Sequence, residues 1–108
     1  MMASGKKIDL ARISLNKPKG YADSIMQTEK ECFFTGRVEC LDPHEIYFGA
    51  NRQTSIKNGF WIWVCRERHT YIHHNDELNQ YLKKICQEKY EENNSRESFL
   101  KIIGKNYL

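Results

Sequence analysis

The sequence predicts an α+β domain, a β-hairpin followed by a helix with an additional C-terminal helix, and three observations predict it. Phe60-Trp61-Ile62-Trp63-Val64-Cys65 is an aromatic and β-branched run preceded by Asn-Gly, the strongest strand signal in the chain. Beyond Arg66 the spacing changes, and Leu78, Tyr81, Leu82, Ile85 and Tyr90 recur at helical intervals. At 108 residues the chain has the size of one domain, with one modest core and no room for a second.

In chain order, residues 1–20 read as a flexible basic arm. They lack apolar periodicity, carry five Lys or Arg and end on Pro18-Lys19-Gly20. Residues 21–108 form the domain proper. Asp23 is placed to cap a short helical turn carrying Ile25 and Met26, and a turn at Thr35-Gly36 follows Cys32-Phe33-Phe34. Residues 38–47 read as extended, with Pro43 confining that strand to a sheet edge or starting it at His44. Residues 49–59 are polar, with two Gly, two Asn, Ser and Thr, and read as a loop. A single helix is expected from near His69 or Asp76 to about Glu91, ended by Asn93 and Asn94. Ser95-x-Glu97 opens a last helix carrying Phe99, Ile102 and Ile103, with Gly104 as its C-cap.

Composition excludes more than it identifies. Hydrophobic residues make up 40% and charged residues 29%, with two Trp, six Tyr and five Phe, too aromatic for a disordered chain. Seventeen Lys and Arg against fourteen Asp and Glu leave +3, a balance shared by proteins that never touch nucleic acid. No run approaches the roughly eighteen apolar residues that span a membrane. The N-terminus lacks the apolar stretch of a signal peptide, so a cytoplasmic location and no membrane partner are expected. Cys32, Cys40, Cys65 and Cys86 contain no C-x-x-C pair. In a reducing compartment they read as thiols, Cys86 as a buried helix residue and Cys32 and Cys65 as packed core residues before metal ligands.

The chemistry-bearing residues are concentrated. All four histidines fall between residues 44 and 74. His69 and His73 are four apart, which on a helix stacks both imidazoles on one face. With a third ligand from a neighbouring strand they can hold a divalent cation and leave a position open for water or phosphate. His44 and Asp42 share one strand face by alternation, and Glu45 points the other way. His74 lies off the His69 face. Trp61 and Trp63 alternate with Ile62 and Val64, so they read as packing residues before base-stacking platforms. Lys83-Lys84 reads as a solvated helix face along which DNA could also lie.

This arrangement resembles the HNH, or ββα-metal, nucleases, whose pattern is His-His-Ile on the first strand, Asn in the loop and C-x-x-C-H-x-x-x-H into the helix. Here it is met by His44-Glu45-Ile46, Asn51 or Asn58, and Cys65-Arg66-Glu67-Arg68-His69-Thr70-Tyr71-Ile72-His73. From about Asn16 to Leu108 the chain is similar to small phage and prophage HNH-like, recombination-nuclease-type proteins. The segments that carry the similarity are Lys17-Pro18-Lys19-Gly20-Tyr21, Cys32-Phe33-Phe34-Thr35-Gly36, Gly49-Ala50-Asn51-Arg52 and Gly104-Lys105-Asn106-Tyr107-Leu108. The chain departs from the pattern at Glu45, where the family has a second His, and at Thr35 and Arg68, where its structural zinc would need Cys.

The resemblance implies a metal-dependent DNA endonuclease with a ββα-metal core, in the cytoplasm of a host cell. One divalent ion (Mg²⁺, Mn²⁺, Ni²⁺ or Zn²⁺) would be held by His69, His73 and a first-strand group such as Asp42. Two assignments of the general base are open: His44 with Asp42 supporting or ligating, or Glu45 with His44 as a metal ligand. Asn51 would orient the base or the loop. Arg52, Lys57, Arg66 and Arg68 would bind phosphates without reading sequence. DNA is the expected partner, and a single domain that cuts both strands needs either a homodimer or two visits, the two alternatives being open. The rival implication is an inert DNA-binding or phage-assembly relative that keeps a structural metal.

Overall fold

A computed structural model describes residues 17–108. It contains an antiparallel two-stranded hairpin and four helices: β1 (Leu41–Glu45), a 3₁₀ turn (Gly49–Asn51), α1 (Arg52–Asn58), β2 (Trp61–Cys65), α2 (Arg66–His73), α3 (Asp76–Tyr90) and α4 (Arg96–Ile103). The mixed α+β class matches the expectation. The N-terminal arm, up to residue 16, lies outside the described residues. Residues 17–20 form a turn in which Pro18 accepts from the Tyr21 N–H and Lys17 pairs with Asp23 at 3.1 Å.

The register pairs Leu41 with Cys65, Pro43 with Trp63, and His44 with Ile62. In a two-stranded sheet every strand is an edge, so Pro43 sits within β1 without breaking it. The outer edge of β2 is covered by the preceding chain. Phe33 donates its N–H to Trp63 O, Gln27 Oε1 accepts from Trp63 N–H, and Ser24 donates its hydroxyl to Trp61 O. This segment forms bends instead of the helical turn expected at Asp23, and it is Ser24 that accepts locally, from Met26 N–H at 3.0 Å.

Residues 49–59, expected as a loop, are helical for most of their length. Only Ser55 and Ile56 of α1 are buried, too few for an apolar period to show. Ser55 instead fixes the helix by polar bonds, accepting from Tyr47 N–H at 3.1 Å and donating to Tyr47 O at 2.6 Å. Gly59 ends α1 in the left-handed region (φ 76°), and a Cβ there would lie 2.1 Å from Asp23 O, so the chain crossing requires glycine twice over.

Of the two starts expected for the long helix, Asp76 is the one observed, in α3, and a separate helix that was not expected, α2, precedes it. α2 starts directly from β2 at Arg66. The break comes at Asn75, whose side-chain oxygen caps α3 by accepting from Leu78 N–H at 2.9 Å, with Asp76 and Glu77 favourably placed in the first turn. α4 follows the sequence reading, with Ser95 accepting from Ser98 N–H and Gly104 in the left-handed region as C-cap. The core joins Ile46, Tyr47, Phe60, Ile62 and Val64 of the hairpin region to Ile72, Leu82, Cys86, Phe99 and Ile103 of the helices. Trp61 and Trp63 are buried, as packing residues.

Candidate metal centre

Because α2 leaves β2 without a linker, its first turns lie against the hairpin, and the face carrying His69 and His73 meets the β1 face carrying Asp42 and His44. The His44 ring lies 5.5 Å from that of His69 and 5.9 Å from that of His73, and the His69 and His73 rings are 4.7 Å apart. One ring nitrogen from each of the three lies within 4.8 Å of the others, the only such group of three or more His, Cys, Asp or Glu among the described residues.

The chemistry of the donors fits a cation. His44 is 3% exposed, and its Nε2 is the only buried side-chain nitrogen or oxygen among the described residues with no hydrogen-bond partner. An orphaned buried polar atom is costly unless something meets it. His69 Nδ1 lies 3.3 Å from Asp42 Oδ2, so a proton on Nδ1 leaves the Nε2 lone pair to face outward. That Nε2 is 3.1 Å from His73 Nε2. Two ligands about 2.0–2.1 Å from a tetrahedral ion are about 3.3 Å apart, so this spacing suits a shared metal.

Burial pushes the His44 imidazole down to about 4, with the neighbouring His69, His73 and Lys83 charges adding to it, so the ring is neutral and able to ligate at pH 7. Burial pushes the Asp42 carboxyl up, but hydrogen bonds from Arg66 and His69 outweigh it and hold it below the usual range. Arg66 Nη2 lies 3.4 Å from Asp42 Oδ1, and that carboxylate in turn orients His69.

The other expected site residues lie apart from this cluster. Glu45, on the opposite strand face, accepts from the Tyr21 hydroxyl at 2.6 Å and from Arg52 Nε at 3.2 Å. Asn51 donates its amide to Ile103 O at the end of α4 and so fastens α4 to the 3₁₀ turn, not to the histidines. Lys57 and Arg68 are exposed, and Arg68 lines an open groove with Phe34, Tyr71, Asn75, Glu77 and Leu78. His74 is exposed. Cys32, Cys65 and Cys86 are buried free thiols. Burial raises the Cys32 thiol, but hydrogen bonds from the Thr35 hydroxyl and from backbone N–H groups of Cys65, Thr35 and Phe34 outweigh it and bring it to about 7.

Phe48 escaped the sequence reading, and Lys83, expected on a solvated helix face along which DNA could also lie, is the second neighbour of the centre. Phe48 is 46% exposed with its ring 6.4 Å from His44, and Lys83 stands over Phe48 at 4.4 Å instead of pointing into solvent with Lys84. The strand end at Glu45 and the following Gly-Ala were the available signal for an exposed aromatic there.

Comparison with protein-family models, with curated proteins and with solved structures gave no match to this chain. No helix among the described residues is long and apolar enough to cross a membrane.

Proposed function

We propose that this chain is a metal-dependent phosphodiesterase of the HNH type acting on DNA, with a divalent ion held by His44, His69 and His73 in a ββα-metal core formed by β1, β2 and α2. The observation that carries the reading is the convergence of three imidazoles, one with an otherwise unpartnered buried nitrogen, at the junction of a hairpin and the helix that leaves it. A set of three neutral nitrogens favours a borderline ion such as Zn²⁺ or Ni²⁺ over Mg²⁺, which prefers oxygen. Bound there, such an ion supplies charge stabilisation to a phosphate and its departing 3′ oxygen.

The remaining roles belong to the chain itself. His44 acts as a ligand and not as the base, because it is buried among the other two histidines. Asp42 holds the His69 tautomer. Glu45 lies on the strand face away from the histidines, held by Tyr21 and Arg52, so it is not the group that takes a proton from water at the ion.

One observation favours a second reading, an inert metal-holding DNA-binding module. Glu45, the other candidate base on β1, faces away from the three histidines with both oxygens engaged by Tyr21 and Arg52. Metal content and plasmid nicking, measured on one preparation stripped and reloaded with Zn²⁺, Mn²⁺ or Mg²⁺, decide between them. Metal-dependent nicking lost in His44→Ala and His73→Ala supports the nuclease. Bound metal without nicking supports the inert module, and the absence of both overturns the metal centre.

A further inference from the structure

Beside the three histidines lies a basic and aromatic surface that the metal centre does not use. Lys83 Nζ sits 4.4 Å over the Phe48 ring and 5.6 Å from the Tyr107 ring, and Lys105 Nζ sits 5.1 Å over that same Tyr107 ring. Neither ammonium has a carboxylate within ion-pair distance among the described residues. Burial and the Lys105 charge both push Lys83 down, and only Asp76 acts in the opposite sense. Lys83 is also near enough to depress His44. Two cations over one ring with no counter-charge repel each other, and an anion between them removes that cost.

The surface is fixed by the fold. Gln87, fully buried on α3, donates to Asn106 Oδ1 at 2.8 Å and accepts from Tyr107 N–H at 2.7 Å, which clamps the C-terminal segment against α3. Tyr47 donates its hydroxyl to Lys83 O at 2.5 Å, and its ring lies 5.5 Å from that of Tyr107, tilted by 43°.

We propose that Phe48, Lys83, Lys105 and Tyr107 form a subsite for one nucleic-acid strand running into the three-histidine centre. The two ammoniums hold a phosphate flanking the one at the metal, and Phe48 stacks on an unpaired base. The proposal rests on the reading of the centre as a phosphodiesterase. A single strand is favoured over a duplex because a base can stack on an exposed ring only after leaving its own stack.

The test is fluorescence anisotropy of a labelled twelve-nucleotide single strand with the full chain, with chelator and with Zn²⁺, across a salt series. Lys83→Gln, Lys105→Gln and Phe48→Ala are compared with Lys84→Gln, which alters an exposed neighbour on α3. Each subsite lysine variant should lower the log–log salt slope by about 0.7. Phe48→Ala should weaken binding roughly 5- to 100-fold. Lys84→Gln should match wild type, and Zn²⁺ affinity should be unchanged throughout, which shows that the variants fold. Strand cleavage by wild type with variants that bind like wild type overturns the subsite and leaves the nuclease reading standing. Strand binding through these residues with no cleavage under any metal sustains the subsite and overturns the nuclease reading. A wild-type chain that binds no single strand, or binds duplex more tightly without regard to Phe48, overturns the subsite, and plasmid nicking then judges the centre separately.

Discussion

Replacing His44 with leucine should make the metal-free protein more stable and abolish its response to zinc. His44 Nε2 is buried with no hydrogen-bond partner, and a buried unsatisfied group costs about 1–3 kcal/mol. Leucine has nearly the volume of an imidazole, so His44→Leu removes the orphaned nitrogen without opening a cavity. In a domain of this size 1 kcal/mol moves Tm by about 4 °C, so the chelated variant should melt roughly 4–12 °C above chelated wild type. Zinc should act in the opposite direction. At one hundred times its Kd a ligand bound only by the native state adds about 2.7 kcal/mol, so wild type should gain about 10 °C and His44→Leu nothing.

The assay is thermal unfolding followed by circular dichroism, with each protein measured in chelator and in a zinc series. A variant that melts lower than wild type in chelator would show that the His44 ring is a satisfied core residue. A zinc shift that survives the substitution would show that His44 is not a ligand. Either result refutes the reasoning, and each refutes a different half of it.

Three further outcomes follow from the same geometry. Asp42→Ala removes the carboxylate that orients His69, and should weaken zinc binding by roughly 10- to 100-fold in a chelator-competition titration while leaving the circular dichroism spectrum unchanged. Gly59→Ala places a Cβ against Asp23 O at a left-handed position and should cost about 2 kcal/mol or more, read as a lowered urea midpoint with an unchanged slope. For the metal-free protein, His44 has a folded-state value of about 4 against about 6.5 unfolded. The unfolded chain therefore takes up the proton first as pH falls, so the contribution is whole above about pH 6.5 and is lost down to about pH 4, up to about 3 kcal/mol. The stability difference between wild type and His44→Leu, measured by urea unfolding at each pH, should widen over that window.

What was legible in the sequence was whatever a local period or cap expresses. Trp61 to Cys65 declared itself as a strand because both faces of β2 are buried, one under the helices and the other under the segment from Ser24 to Phe33. α4 was legible at both ends, through Ser95 and Gly104. α1 was not, because what holds it is Ser55 bonded to the Tyr47 backbone, and a serine carries no apolar signal. The start of α3 at Asp76 was one of the two the sequence offered; the separate helix α2 before it was not, because the break hangs on the side chain of Asn75, a polar residue with no apolar signal. At the site, alternation put Asp42 and His44 on one face and spacing put His69 and His73 on another. That these two faces meet depends on α2 beginning at Arg66, immediately after β2, and no residue pattern states that.

The same junction explains why the cluster can carry a misfit. His44 lies in the hydrogen-bonded hairpin, paired with Ile62, and α2 is continuous with the partner strand, so the backbone brings the three imidazoles together, with Asp42 orienting that of His69. A fold that positioned His44 through a satisfied hydrogen bond would be more stable and would have no free nitrogen pair to offer. Here the pairing of His44 with Ile62 in the hairpin holds the orphaned nitrogen in place, while Glu45 beside it differs. Glu45 is one residue away and fully partnered by Tyr21 and Arg52. Adjacent residues on one strand thus face opposite demands, His44 left unsatisfied toward the three-histidine cluster and Glu45 satisfied on the other face.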